Sequence, residues 1–224
     1  MRIIKKLSEG MRLITLKKQW KQHNIQNNTW LGKCNYTNIF CKKIFDLNYI
    51  SIGRGTYGPL NIISSDNDYE QLKIGAYCSI GGDTKFILSG GHDYNRLSTY
   101  PFRNKYFDHK SEAICKGAII IDDDVWIADG VTVLSGVHIG QGSVIGAGSI
   151  VTKSVPPYSI CGGVPCRVIK YRFSDQIIDK LRNIDWEKYR FSPDDLKILE
   201  TDITDDNVDK LLSYLSNQRD CYKQ

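Results

Sequence analysis

No stretch of this 224-residue chain approaches the roughly 18 consecutive apolar residues a membrane-spanning helix needs, so a transmembrane helix is not expected. The opening MRIIKKLSEGMRLITLKK has charges scattered through it and lacks a small-residue cleavage site, so it does not read as a secretory signal. The seven cysteines are an odd number with no CxxC pair, which argues against a disulfide framework or structural zinc and for a reducing, cytoplasmic setting. Cys78 and Cys115 read as small apolar fillers in strands. The four histidines are not spaced like a ligand set, so no metal is expected. A basic body is missing too. Residues 1–21 carry seven basic side chains against Glu9, which leaves the remainder of a +5 chain slightly acidic. Nucleic-acid binders carry their basic face on the folded body, so nucleic acid is not an expected partner.

A six-residue repeat is abundant instead. From Ile121 the chain divides into IDDDVW, IADGVT, VLSGVH, IGQGSV, IGAGSI and VTKSVP. The first position is always aliphatic (Ile121, Ile127, Val133, Ile139, Ile145, Val151), and the fifth is always small or β-branched (Val125, Val131, Val137, Ser143, Ser149, Val155). The same phase appears upstream in the pairs Ile52/Thr56, Ile74/Cys78 and Ile80/Thr84. An α-helix would scatter positions spaced by six around its circumference, and a long flat strand would bury every second residue. Short strands joined by sharp turns fit: each sends its aliphatic residue inward, and three hexads close one triangular coil. Seventeen of the nineteen glycines lie between Gly53 and Gly163, where such corners need them. Stacked coils then bury a continuous aliphatic column. The expected fold is mainly β, a triangular parallel β-helix.

The segments SIGRGTYGP, IGAYCSIG, GGHDYNRLSTYPF and DVWIADGVTVLSGVHIGQGSVIGAGSIVTKSVPPYSICGGVPCRVIKYRF carry a resemblance to a known family. Over about residues 50–190 the chain resembles the hexapeptide-repeat acyltransferases, in the xenobiotic-acetyltransferase branch that also holds surface-polysaccharide acetyltransferases. The resemblance implies a left-handed β-helix, an exception to the usual right-handed crossover. It also implies acetyl-CoA as co-substrate and a homotrimer with active sites between subunits.

The repeat breaks once. Residues 92–114, HDYNRLSTYPFRNKYFDHKSEAI, contain no hexad and are rich in aromatics. Excursions of this kind from a regular scaffold often carry function. Tyr94, Tyr100, Phe102 and Tyr106 could stack on a sugar or ring substrate, or could pin the loop to its own subunit or a neighbour. His92 opens the excursion after Gly90-Gly91. Acetyl transfer needs a nucleophile stripped of its proton, and an imidazole, ordinarily with a pKa near ~6.5, suits that task. The resemblance implies that His92 is the general base. Asp93 and Asp83 are weaker candidates for orienting the ring or meeting the acceptor, and Tyr57 is a candidate acceptor contact. His23, His109 and His138 read as ordinary polar residues.

The anionic end of acetyl-CoA needs basic groups, and Lys153, Arg167, Lys170 and Arg172 lie just past the small IGAGS stretch. These could equally be surface charges near the end of the coil. Galactoside acetyltransferases share the ungapped spacing from DVWI through VIGAGSIVTK to GVPCRVI. By that resemblance Trp126, Asp129, Ala147, Thr152, Lys153, Arg167 and Lys170 line the coenzyme site. Asp129 stands where such proteins often carry a small polar residue, and Ala128 replaces the usual glycine of the WIG motif.

Three segments follow: a basic leader with an irregular leading coil (1–48), the β-helix (49–171) and a helical appendage (172–224). Ser174 can cap a first helix, with Ile177, Ile178, Leu181 and Ile184 on one face. Ser192-Pro193 starts a second and Thr204-Asp205-Asp206 a third, with Leu211, Leu212 and Leu215 apolar. The appendage is expected to cap the open end of the solenoid. The leader has Ile3, Ile4, Leu7, Met11 and Ile14 near helical spacing among lysines. It could make weak contact with an anionic membrane surface, or be solvated or self-packed. The expected activity is acetylation of a sugar amine or hydroxyl, on a nucleotide-linked or surface-polysaccharide precursor. The alternative is O-acetylation of an antibiotic of the chloramphenicol or streptogramin type.

Overall fold

The computed structural model describes residues 49–65 and 69–218. The readings made for the leader and for the irregular coil Trp20–Asn48 lie outside the described residues. No described helix is long and apolar enough to cross a membrane.

Thirteen short strands wind around three faces. In chain order they are β1 (Ile50–Ile52), β2 (Asn61–Ile63), β3 (Leu72–Ile74), β4 (Ser79–Ile80), β5 (Lys85–Ile87), β6 (Ile119–Ile121), β7 (Trp126–Ile127), β8 (Thr132–Leu134), β9 (His138–Ile139), β10 (Val144–Ile145), β11 (Ile150–Val151), β12 (Ser159–Gly162) and β13 (Arg167–Tyr171). One face is built in the order β1-β3-β6-β9, the second β4-β7-β10-β12-β13, the third β2-β5-β8-β11. All neighbours pair in parallel except β12 with β13. The period is three hexads per coil: Ile120 lies opposite His138, Trp126 opposite Val144 and Thr132 opposite Ile150, each eighteen residues apart.

The aliphatic column is where the repeat puts it. Ile121, Ile127, Val133, Ile139, Ile145 and Val151 are buried, as are the fifth-position residues Val125, Val131, Val137, Ser143, Ser149 and Val155. Each such aliphatic side chain contributes about 1.5–3 kcal/mol by leaving water. The buried hydroxyls are bonded within their own corners: Ser143 Oγ donates to the Gly140 carbonyl at 2.6 Å and Ser149 Oγ to that of Gly146 at 2.5 Å. Cys78 is a buried filler as expected, but it sits at a corner rather than in a strand, and burial pushes its thiol up to about 12. Cys115 is half-buried, also outside the strands.

The three corners have different fates. The corner between the first and second faces stacks Arg54–Gly55, Ala76–Tyr77, Asp123–Asp124, Gln141–Gly142 and Pro157–Tyr158. The second corner stacks Gly81–Asp83, Ala128–Gly130 and Gly146–Gly148. The third stacks Ser64–Ser65, Leu88–Gly90, Leu134–Gly136 and Thr152–Ser154, and the repeat-free excursion leaves from it.

The helical appendage covers the first corner. Ser174 Oγ caps helix α2 (Asp175–Leu181) by accepting from the Ile177 N–H, and Ile177, Ile178, Leu181 and Ile184 pack around Tyr158. A 3-10 turn (Trp186–Lys188) places Trp186 and Phe191 on the Tyr77 ring. The Ser192 capping box opens a short 3-10 turn (Pro193–Asp195) that runs into α3 (Leu196–Leu199). The last helix, α4, is Val208–Gln218. Hydrogen bonds run the length of the corner: the Tyr158 hydroxyl to the Leu181 carbonyl, the Trp186 N–H to Asp123, the Tyr77 hydroxyl to the Tyr189 carbonyl and the Arg54 N–H to Glu187. The expectation that the appendage caps the open end is therefore not met: the edge of β12 is closed by β13, the last strand of the β-helix segment. The helices lie along the side, because Tyr77 and Tyr158 give them an aromatic strip parallel to the axis. Burial raises the carboxyls of Asp123 and Asp124 at this seam, against the N–H groups held by the first and Arg172 beside the second.

Candidate active site

The excursion begins and ends at one antiparallel bridge. Gly91 and Ile114 exchange both backbone hydrogen bonds, at 2.7 and 3.3 Å, so residues 92–114 form a closed loop on the third corner. Helix α1 (Phe102–Tyr106) lies within it. Its frame is ionic. Arg96 donates from Nε to Asp93 at 3.0 Å and from Nη1 to Glu112 at 2.6 Å, and Glu112 also accepts the Asn104 N–H at 3.0 Å. That N–H foremost, and then Arg96, holds the Glu112 carboxyl below the usual range. Asp108 is held low by the Lys110 N–H and by Arg103.

His92 stands at the mouth of the loop, exposed, with ring Nδ1 at 2.5 Å from the Thr99 carbonyl oxygen. A carbonyl only accepts, so Nδ1 carries the hydrogen and Nε2 keeps a free lone pair. His92 lines a concavity of about 760 Å³ whose other lining residues are mainly polar, among them Ser65, Arg96, Ser98, Tyr100, Asn104, Lys105 and Glu112. A fixed tautomer with an open Nε2 can take a proton from a hydroxyl or amine seated there.

The other sequence-predicted residues separate into groups. Asp93 and Tyr100 line the concavity. Asp93 faces Arg96 and the Asn95 N–H instead of the imidazole. Tyr100, Phe102 and Tyr106 contact one another and stay largely exposed, as does Tyr94. Asp83 lies on the second corner, separated from the excursion by β5, and exposed Tyr57 lies on the second face beside Ser79. Of the expected coenzyme positions, Trp126 on β7 and Arg167 and Lys170 on β13 are exposed on the second face, Asp129 and Ala147 lie on the second corner, and Thr152 and Lys153 on the third. A single chain thus divides these positions among different faces and corners. Asp129 also serves the fold: its Oδ1 accepts the Asp83 N–H at 3.1 Å. Thr99, Arg96 and Glu112, which orient the His92 ring and brace its loop, escape sequence reading, because contacts within an irregular loop follow no period.

The second corner is uncluttered, and two exposed cations near the end of the coil are uncommitted. Ala147 and Gly148 are exposed, and a Cβ added at Gly148 would meet nothing within 4 Å. Lys153 and Lys170 are exposed and belong to none of the ion pairs among the described residues.

Comparison with known proteins accords with this geometry. The bacterial transferase hexapeptide family (six repeats) matches residues 118–153. A chloramphenicol acetyltransferase of Klebsiella aerogenes is 37% identical over 127 residues, covering 54% of this chain and 60% of that one. A probable macrolide acetyltransferase of Lysinibacillus sphaericus is 39% identical over 124 residues, 52% of this chain and 69% of that one. Among solved structures, a hexapeptide-repeat acetyltransferase of Vibrio cholerae O1 biovar eltor complexed with acetyl-CoA is 32% identical, covers 61% of this chain and 66% of that one, and has a TM-score of 0.49. The chain belongs to the hexapeptide-repeat transferases, and its fold class is their left-handed parallel β-helix. It spans about 60% of the length of the first curated relatives it matches.

Proposed function

We propose that this chain is an acetyl-CoA-dependent acetyltransferase acting in the cytoplasm on a sugar amine or hydroxyl, on a nucleotide-linked or surface-polysaccharide precursor. The observation that carries the reading is the His92 ring, held at Nδ1 by the Thr99 carbonyl in the lining of a polar concavity. Acetyl-CoA supplies an activated acyl thioester. His92 takes the acceptor's proton at Nε2 while the acceptor oxygen or nitrogen bonds to the acetyl carbon. The carbon–sulfur bond breaks, and the proton passes to the departing sulfur. Lys153, Arg167 and Lys170 would hold the phosphates, with Ala147 and Thr152 beside the arm, Trp126 as a wall and Asp129 at the same corner. The hydrogen-bonding groups of the concavity and the exposed rings of Tyr94, Tyr100 and Phe102 suit a polyhydroxylated ring, with Asp93, Asp83 and Tyr57 as further acceptor contacts.

The division of these positions among corners supports a homotrimer, in which one copy's excursion meets another copy's face; sedimentation should report three chains per particle. A second reading, antibiotic O-acetylation, is favoured by the names of relatives: chloramphenicol acetyltransferase, probable macrolide acetyltransferase and virginiamycin A acetyltransferase. One experiment tests both: thiol release from acetyl-CoA with nucleotide-linked amino sugars, simple sugars, chloramphenicol and a macrolide, comparing wild type with His92→Ala. Sugar turnover that depends on His92 supports the first reading, and a drug turned over far faster than any sugar favours the second. Calorimetry with no acetyl-CoA binding would remove both.

A further inference from the structure

Below the mouth of the excursion lies a buried acid that the proposed chemistry does not use. Glu70 is 4% exposed, in the segment that carries the chain from β2 to β3. Its Oε2 accepts the Ser64 hydroxyl. Its Oε1 accepts both the Ser65 N–H, at 2.8 Å, and the Ser89 hydroxyl. The Ser65 N–H also reaches Ser89 Oγ at 3.2 Å. Ser64 and Ser89 are buried, and Glu70 takes part in none of the ion pairs among the described residues. Burying an acid against neutral donors costs free energy that an apolar filler would avoid. What the acid adds is direction: three donors from two successive coils converge on one carboxyl group.

Those donors belong to the third corner, where the excursion departs. Ser89 is followed by Gly90, Gly91 and His92, while Ser65 and Gly90 line the same concavity as His92. The outgoing backbone is thus held twice before it reaches the imidazole, at Ser89 by Glu70 and at Gly91 by Ile114. We propose that Glu70 is a positioning residue. Acting through Ser89 and Ser65, it fixes the stem that carries His92 and so sets where Nε2 stands over the acceptor. The inference rests on the reading of His92 as the base.

The test combines kinetics, using acetyl-CoA and the fastest acceptor of the panel above, with hydrogen exchange on the free protein. Glu70→Gln keeps the shape but replaces an acceptor oxygen with a donor amide. Ser89→Ala removes one donor and leaves the acid in place, which covers the case in which Glu70→Gln fails to fold. Both should lower kcat by about 10- to 100-fold, the scale of a displaced catalytic group, with little change in the KM for acetyl-CoA. Added to His92→Ala, Ser89→Ala should lower the rate no further, because it acts only through the missing ring. Peptides over 88–92 should lose protection while those over 119–151 keep it. The proposal is overturned by a normal kcat in Ser89→Ala, by an equal loss with and without His92, or by unchanged exchange at 88–92. A wild-type rate in His92→Ala would instead remove the base itself, a failure separable from a normal Ser89→Ala in a chain that needs its histidine.

Discussion

His92 and Thr99 are joined across the mouth of the excursion, ring Nδ1 to carbonyl oxygen, at 2.5 Å. The contact selects the tautomer whose Nε2 accepts a proton. His92→Ala should therefore lower kcat by about 10²–10⁴-fold, the usual yield of a general base. Gln at the same position can form hydrogen bonds but cannot take the proton, and should rescue little. Steady-state kinetics with both variants check this, and a kcat near wild type in either would remove the assignment. The KM for acetyl-CoA should hold, since the role proposed for the ring is toward the acceptor.

Much of this architecture was legible because a six-residue period is a geometric statement. Ile121 through Val151 fill the column in the expected phase, and the break at His92–Ile114 falls on the Gly91–Ile114 bridge that closes the loop. Period says nothing about which corner a later helix covers. The strip that draws the appendage to the side, Tyr77 and Tyr158, comes from residues 81 positions apart that share a corner only once the coils are stacked. Nor does period reveal Thr99 or Glu70. One acts through a backbone carbonyl, which every residue possesses. The other lies in a segment between strands and finds its donors two coils wide.

Coil spacing makes a glycine obligatory at Gly81. A Cβ there would stand 2.5 Å from the Asp129 nitrogen and 2.6 Å from the Ala128 carbonyl carbon, backbone atoms that cannot swing aside. Gly81→Ala should cost about 1–3 kcal/mol, as overpacking commonly does, and lower Tm by several degrees. Gly148 is the control: its φ is +68°, but an added Cβ meets open space, so Gly148→Ala should cost only the left-handed strain of about 1 kcal/mol. Calorimetric melting of the two variants checks the order, and a larger loss at Gly148 would contradict the stacking argument.

Lys153 and Lys170 should bind rather than catalyse. Both are exposed and outside the ion pairs of the described residues, as phosphate-binding side chains would be before a ligand arrives. Lys153→Ala and Lys170→Ala should each raise the KM for acetyl-CoA by about 3- to 30-fold with kcat nearly unchanged. Added salt should weaken the wild type more than the variants. A fall in kcat at constant KM would move these lysines into the chemical step.

Acid should loosen the excursion before it loosens the seam under residues 174–191, because the carboxyls of the excursion and those of the seam are shifted in opposite directions, while the lowered Asp195 acts farther along, between Ser192 and Tyr214. Glu112 and Asp108 are held low, foremost by the N–H groups of Asn104 and Lys110. A depressed folded pKa means that their contribution is complete above the unfolded value, about 4 for a carboxyl, and is lost as pH falls through the folded one. Asp123 and Asp124, raised chiefly by burial at the appendage seam, have the reverse sign. Their contribution is complete below the unfolded value and declines as pH rises through the folded one. Hydrogen-exchange protection, corrected for intrinsic rate, should therefore fall over 92–114 between pH 5 and pH 3, on the order of the unfolded carboxyl range, while residues 174–191 hold. Glu112→Gln should leave the excursion loose already at neutral pH and blunt its response to acid. If protection over 174–191 fell first, the signs at Asp123 and Asp124 would be wrong, and the seam would depend on their charge.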